Sequence, residues 1–249
     1  MARKDKKADN QEKGEKLRDV ATLRRTAKEV KKHVLITRVV SLLIVILIGI
    51  ISIAYAVAYF YDKFGSFTVR VNKYDMVNQG LSLSETPTYD HTISVLQADI
   101  QYDMTNISGS DLPSNIDMVN GSHNGNNFIA YTFYLINSGD DTVSYESQLY
   151  IENVSKNVDE AVRVAVYKNG ERTIYGKTKS SGGGMESDCD QEFLSSTLVM
   201  REKKEGFEPG DKDKYTIVIW LEGNDPDCID DIIGGTIKFG MDFSIVETT

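Results

Sequence analysis

Twenty-three consecutive residues, Val39–Tyr61 (VVSLLIVILIGIISIAYAVAYFY), carry no formal charge. As a helix rising about 1.5 Å per residue the run would be roughly 35 Å long, enough to cross a hydrocarbon core of about 30 Å. A helix in a soluble core rarely runs so far without a polar face. The run is expected to be a single transmembrane helix, with membrane lipids as its partner. It divides the chain into a tail (1–38), the span (39–61), a short linker (62–66) and a large C-terminal domain (67–249).

Charge gives the span a direction. The chain has a net charge of −9. Residues 1–38 hold 13 Lys and Arg against 6 Asp and Glu, a net of +7, whereas residues 62–249 hold 15 against 31, a net of −16. Lys and Arg stay on the cytoplasmic side of a span, so the N-terminus is expected in the cytoplasm and the acidic domain outside. Tyr55, Tyr59, Phe60 and Tyr61 suit the outer interface, where aromatic rings gather. A cleaved signal peptide is the competing reading, because Ala54–Ala58 (AYAVA) places small residues at cleavage-like spacing, with release at Ala56 or Ala58. The 38-residue leader and the length of the apolar run favour an uncleaved anchor.

The first 16 residues are too polar to bury a core and are expected to be disordered. Leu17, Val20, Ala27, Val30 and Val34 form a narrow helical stripe among basic residues. It reads as a solvated juxtamembrane helix, with contact to anionic lipid headgroups compatible.

Past the membrane the pattern changes to period two. Phe67, Val69 and Val71 alternate with polar residues, and Val143, Tyr145, Leu149 and Ile151 share a face that Ser147 interrupts. Ile237, Phe239, Met241, Phe243 and Ile245 do the same in the last strand. Asn169-Gly170 between two β-rich runs is a strong hairpin signal, and NVDEAVR hints at a short helix. The expected fold class is all-β, an antiparallel β-sandwich after one transmembrane helix. Trp220, Phe239, Phe243, Phe133 and Ile217 are expected in its core. Lys179–Asp188 reads as a flexible loop and Ser108–Asn127 as a polar insertion.

The two cysteines, Cys189 and Cys228, both fall in the domain expected outside. An extracytoplasmic pair is most simply a disulfide, two separate thiols being the alternative. Both sit among acids: Glu186, Asp188, Asp190 and Glu192 around the first, and Glu222, Asp225, Asp227, Asp230 and Asp231 around the second. If the cysteines are bonded, these carboxylates converge, and such a cluster needs spreading, protonation or a cation. Calcium fits an all-oxygen set outside cells, with Asp188, Asp190, Asp225, Asp227 and Asp230 as the expected ligands. The competing reading is a solvated acidic rim.

Catalytic motifs find little support. His33 is on the cytoplasmic side, and His91 and His123 have no HExxH-like spacing. No Gly-x-Ser-x-Gly elbow or phosphate-cradling loop is present, and no enzymatic activity is expected. A domain of this charge also suits nucleic acid poorly.

Gly80–Pro87 (GLSLSETP), Phe128–Ile151 (FIAYTFYLINSGDDTVSYESQLYI) and Tyr215–Phe243 (YTIVIWLEGNDPDCIDDIIGGTIKFGMDF) resemble exported Gram-positive bacterial proteins related to TasA and camelysin. The similarity spans about residues 67–246. It implies a jelly-roll-like β-sandwich at the cell surface or in a biofilm matrix, with a structural role and protein partners or fibre subunits. Camelysin-like members are described as metallopeptidases, but no zinc-ligand set can be placed on these residues. The long basic tail departs from the short cleaved leader of the matrix-fibre members. It favours a surface-bound module over a secreted fibre subunit.

Overall fold

The structure is a computed structural model that describes residues 30–57, 67–88 and 93–247. The chain divides into two units, Met1–Tyr59 and Phe60–Thr249. The readings made for residues 1–29, for Ala58, Tyr59, Phe60 and Tyr61, and for His91 lie outside the described residues.

The first unit contributes one helix, α1 (Val30–Val57), long and apolar enough to cross a membrane. A signal sequence shares those features. Its 28 residues extend about 42 Å. The helix begins nine residues before the uncharged run, so Lys31, Lys32 and Arg38 ride on its first turns. Its apolar side chains are exposed along its whole length.

The second unit is all-β. Its strands are β1 (Phe67–Val71), β2 (Leu81–Ser84), β3 (Val95–Gln97), β4 (Gly121–Ser122), β5 (Phe128–Asn137) and β6 (Val143–Val154), followed by β7 (Val162–Lys168), β8 (Glu171–Gly176), β9 (Gln191–Glu192), β10 (Leu198–Phe207), β11 (Lys212–Leu221) and β12 (Ile237–Ile245). One sheet runs β10-β6-β12-β1-β3 and the other β2-β5-β11-β7-β8-β9, with β4 also on β5. Pairing is mainly antiparallel, but β1 joins β12, and β8 joins β9, in parallel. Asn169 and Gly170 both have positive φ, as the tight β7–β8 hairpin requires.

The two sheets face each other through the alternating residues. Phe243 from one sheet meets Phe133 and Tyr215 from the other, with ring centroids 6.0 and 5.3 Å apart. Phe133, Ile217, Phe239 and Phe243 lie in this core as expected. A buried polar group also ties the sheets. The Tyr145 hydroxyl donates to Asp213 and lies 2.9 Å from the Tyr215 hydroxyl, and Lys204 Nζ and Asn169 Nδ2 donate to the same Asp213 carboxylate.

Trp220 is buried too, but on the opposite face. Ala130, Ala165, Val218 and Trp220 form a second apolar cluster on the outer face of β5, β7 and β11, covered by Ile116, with Ile107 and Leu112 at its margin. The segment that reads as a polar insertion is thus a cover. It carries two 3-10 turns, Gly109–Asp111 and Ile116–Met118. His123 pins it through both ring nitrogens, 2.8 Å from the Gly121 carbonyl and 2.7 Å from that of Ile116.

A short helix that the period-two reading passes over, α2 (Lys73–Gln79), follows β1. Asn72 caps it by accepting from the Tyr74 amide, and Gly80 closes it in the left-handed region. The helix hinted at by NVDEAVR is a 3-10 turn, Val158–Glu160.

Candidate functional site

Arg163 organises the acidic loops. It stands on β7, between Trp220 of β11 and Gly176 of β8 in the ladder. An added Cβ at Gly176 would sit 2.5 Å from Cys189 Sγ and 3.1 Å from Arg163 Cδ, so only glycine leaves room there for both side chains. The guanidinium is 1% exposed. Its Nε and Nη2 fork onto Asp188 at 2.9 and 3.3 Å, Nη2 also donates to Asp225 at 2.5 Å, and Nη1 donates to the Val162 carbonyl at 3.3 Å. Burial works against its charge, but the Asp188 and Asp225 carboxylates outweigh that and raise its pKa further. Protein acceptors engage all three of these nitrogens, so this arginine holds loops together and is not free to receive an anion.

Asp225 is placed by two consecutive turns. Its amide donates to the Glu222 carbonyl and its carbonyl accepts from the Cys228 amide. Its second carboxylate oxygen accepts from the Asp227 amide at 2.7 Å, an Asx turn across Pro226. Asp227 accepts from Ser180 Oγ at 2.6 Å, which draws in the glycine-rich loop after β8.

Glu186, at the end of that loop, completes the group. Among the described residues one set of three acids offers oxygens within 4.8 Å of one another: Glu186, Asp225 and Asp227. Glu186 and Asp225 border a cavity of about 430 Å3 whose walls include Arg163, Arg172, Asp188 and Trp220. Burial, and then the charge of Asp225, push the Glu186 carboxyl above the ordinary carboxylate range.

The five acids expected as calcium ligands do not form one group. Asp225 and Asp227 lie together, and Asp188 is joined to Asp225 only through Arg163. Asp190 instead accepts from the Ile174 amide at 2.8 Å, and Asp230 is exposed at the start of a 3-10 turn. Glu222 turns to another task, taking the Trp220 indole N–H at 3.0 Å and the Gly109 amide at 2.9 Å.

The expected disulfide is not formed, and both cysteines are free. Cys189 is buried against Gly176, and burial pushes its thiol up to about 12. Cys228 Sγ takes a hydrogen bond from Asn106 Nδ2 at 3.4 Å. The two sulfurs have different neighbours, and the Arg163 ion pairs make the link between the loops that the disulfide was expected to make.

No family model matches the chain, and no curated protein matches it. Among solved structures it is similar to the beta-glucosidase from Kluyveromyces marxianus in complex with glucose, at 10% identity over 68% of this chain and 15% of that chain, with a TM-score of 0.24. The selenomethionine-labelled form of that enzyme gives 12% identity over 68% of this chain and 16% of that chain, with a TM-score of 0.24. The chain thus spans under a sixth of the length of the enzymes it matches, and likeness at this level carries no argument about its fold or activity.

Proposed function

We propose that the chain is a single-pass membrane protein that keeps its basic N-terminus in the cytoplasm and displays the acidic β-sandwich outside the cell. There the sandwich serves a structural or binding role in the surface layer, matrix or fibre assembly. One observation carries the reading: a 28-residue helix with exposed apolar side chains precedes a β-domain of opposite charge to the tail. The basic residues at the start of α1 supply the orientation. Protease added to intact cells or spheroplasts should remove the sandwich and spare an N-terminal tag. Protection of the C-terminus would overturn the orientation.

The small residues Ala54 and Ala56 support a second reading, a fibre subunit released after cleavage. N-terminal sequencing of the surface material separates the two, because a start at Val57 or Tyr59 means release. A metallopeptidase of the camelysin kind would show peptidase activity that a chelator abolishes.

A further inference from the structure

Strand β10 forms one edge of its sheet. β6 lies on one side of it, and among the described residues no strand lies on the other. The turn before β10 occupies only its first two residues, where the Ser195 and Leu194 amides donate to the Leu198 and Val199 carbonyls. From Met200 to Phe207, alternate backbone amides and carbonyls point away from β6 with no strand to meet them.

Charges on such an edge ordinarily keep other edges away. Their order in β10 makes an exception for its own copy. Arg201, Glu202, Lys203, Lys204 and Glu205 alternate in sign except at the two lysines. Two copies paired antiparallel about a two-fold axis bring residues of the same face opposite each other. With the axis at Lys203, Arg201 meets Glu205 and Glu202 meets Lys204, each twice. Only Lys203 meets its own kind. Glu146 of β6 stands opposite Lys203 in the ladder, so a carboxylate flanks each ammonium in that row. An axis at Glu202 would set Arg201 against Lys203, and one at Lys204 would keep only the Lys203–Glu205 pairs. The pattern of charge therefore selects one register.

The outward residues carry the recognition. Glu202 and Lys204 are already held by Lys168 and Asp213 of the other sheet. Arg201 is 51% exposed with Glu146 at 3.7 Å, beyond hydrogen-bond reach, and Glu205 is 60% exposed. Beyond them the edge is open, since an added Cβ at Gly206 would meet nothing within 4 Å.

We propose that β10 pairs with β10 of a second copy of this chain across a two-fold axis at Lys203, joining the two five-stranded sheets edge to edge. Charge complementarity of the strand with itself identifies the partner. The pairing does not depend on the membrane topology proposed above.

The test uses the full chain in detergent micelles, with Cys228→Ala so that buried Cys189 is the only native thiol. Directly opposed residues in an antiparallel pair have Cα atoms about 4.5–5.5 Å apart, and a disulfide spans about 4.4–6.8 Å. Lys203→Cys should therefore give a disulfide-linked dimer under mild oxidation. Glu171→Cys, exposed at the start of β8, should not. In sedimentation, Arg201→Glu should weaken the dimer by about tenfold or more, because it sets two like-charged pairs across the axis. Glu205→Arg alone should do the same, and it serves if the first variant does not fold. The two substitutions in one chain should restore the dimer, since both pairs are remade with their signs exchanged. Monomers at every concentration, equal cross-linking through Glu171→Cys, or no rescue in the double variant would each overturn the proposal. A dimer indifferent to all these changes is held by another surface, α1 included, and overturns it as well.

Discussion

Arg163 Nη2 and Asp225 Oδ2 lie 2.5 Å apart, with side-chain exposures of 1% and 0%. A pair this buried has given up its hydration, so its worth depends on how completely its remaining groups are satisfied. Here the Asp188 fork and the Asp227 amide supply those partners.

Removing one member leaves the other charged and dry. Asp225→Ala should lower the unfolding free energy in urea by about 3–5 kcal/mol, whereas the apolar double replacement Arg163→Met with Asp225→Leu should lose much less. A loss under about 1 kcal/mol in the single variant would mean that water reaches the pair.

A second buried polar group gives a pH signature. Burial alone would raise the Asp213 pKa, but hydrogen bonds from Lys204, Tyr145 and Asn169 outweigh it and hold the carboxyl below its ordinary range. A depressed folded pKa means that the native state binds fewer protons than the unfolded chain. Its stabilising contribution is therefore present above about pH 4 and lost as pH falls towards the folded value. Asp213→Asn should remove that portion of the acid dependence, measured as Tm against pH. Tyr145→Phe should cost about 1–3 kcal/mol at neutral pH, because it takes a donor from a buried carboxylate.

The strands that form these sites are legible because residues facing the core alternate, as Phe67, Val69 and Val71 do. The same alternation hides Arg163. Val162, Val164 and Val166 point into the main core, which assigns Arg163 to a face that reads as solvent. That face is covered. Its partners are 25 and 62 residues away in sequence, a distance at which no local pattern speaks. The signal that was available lies in β11, where Val218 and Trp220 are apolar opposite Ile217 and Ile219. A strand apolar on both faces must be buried on both, and that implies a cover over β7. Likewise Asn72 and Gly80 bracket α2 with ordinary capping chemistry, legible once the search is for caps as well as alternation.

The state of the cysteines is open to direct chemistry. A thiol reagent that acts on thiolates should modify half-buried Cys228 in the native protein and leave buried Cys189, with its thiol raised to about 12, unmodified. Mass spectrometry should then show one adduct on the native chain and two after unfolding. No adduct in either state, with both recovered after reduction, would show that the disulfide forms after all.

The last prediction concerns the glycine beneath the site. Gly176 is not in a left-handed conformation, so an alanine there meets a shortage of space and no backbone strain. Its Cβ would fall 2.5 Å from Cys189 Sγ and 3.1 Å from Arg163 Cδ. The arginine stem cannot swing aside without breaking the Asp188 and Asp225 bonds that hold its head. Gly176→Ala should therefore cost about 1–3 kcal/mol, the usual penalty for overpacking. Cys189→Ala removes the sulfur atom and opens the space that the new methyl needs. The double variant should then be more stable than the sum of the two single losses predicts, with a coupling of about 0.5 kcal/mol or more in urea unfolding. Strict additivity would mean that the loop carrying Cys189 moves away freely, and that Arg163 does not fix it in place.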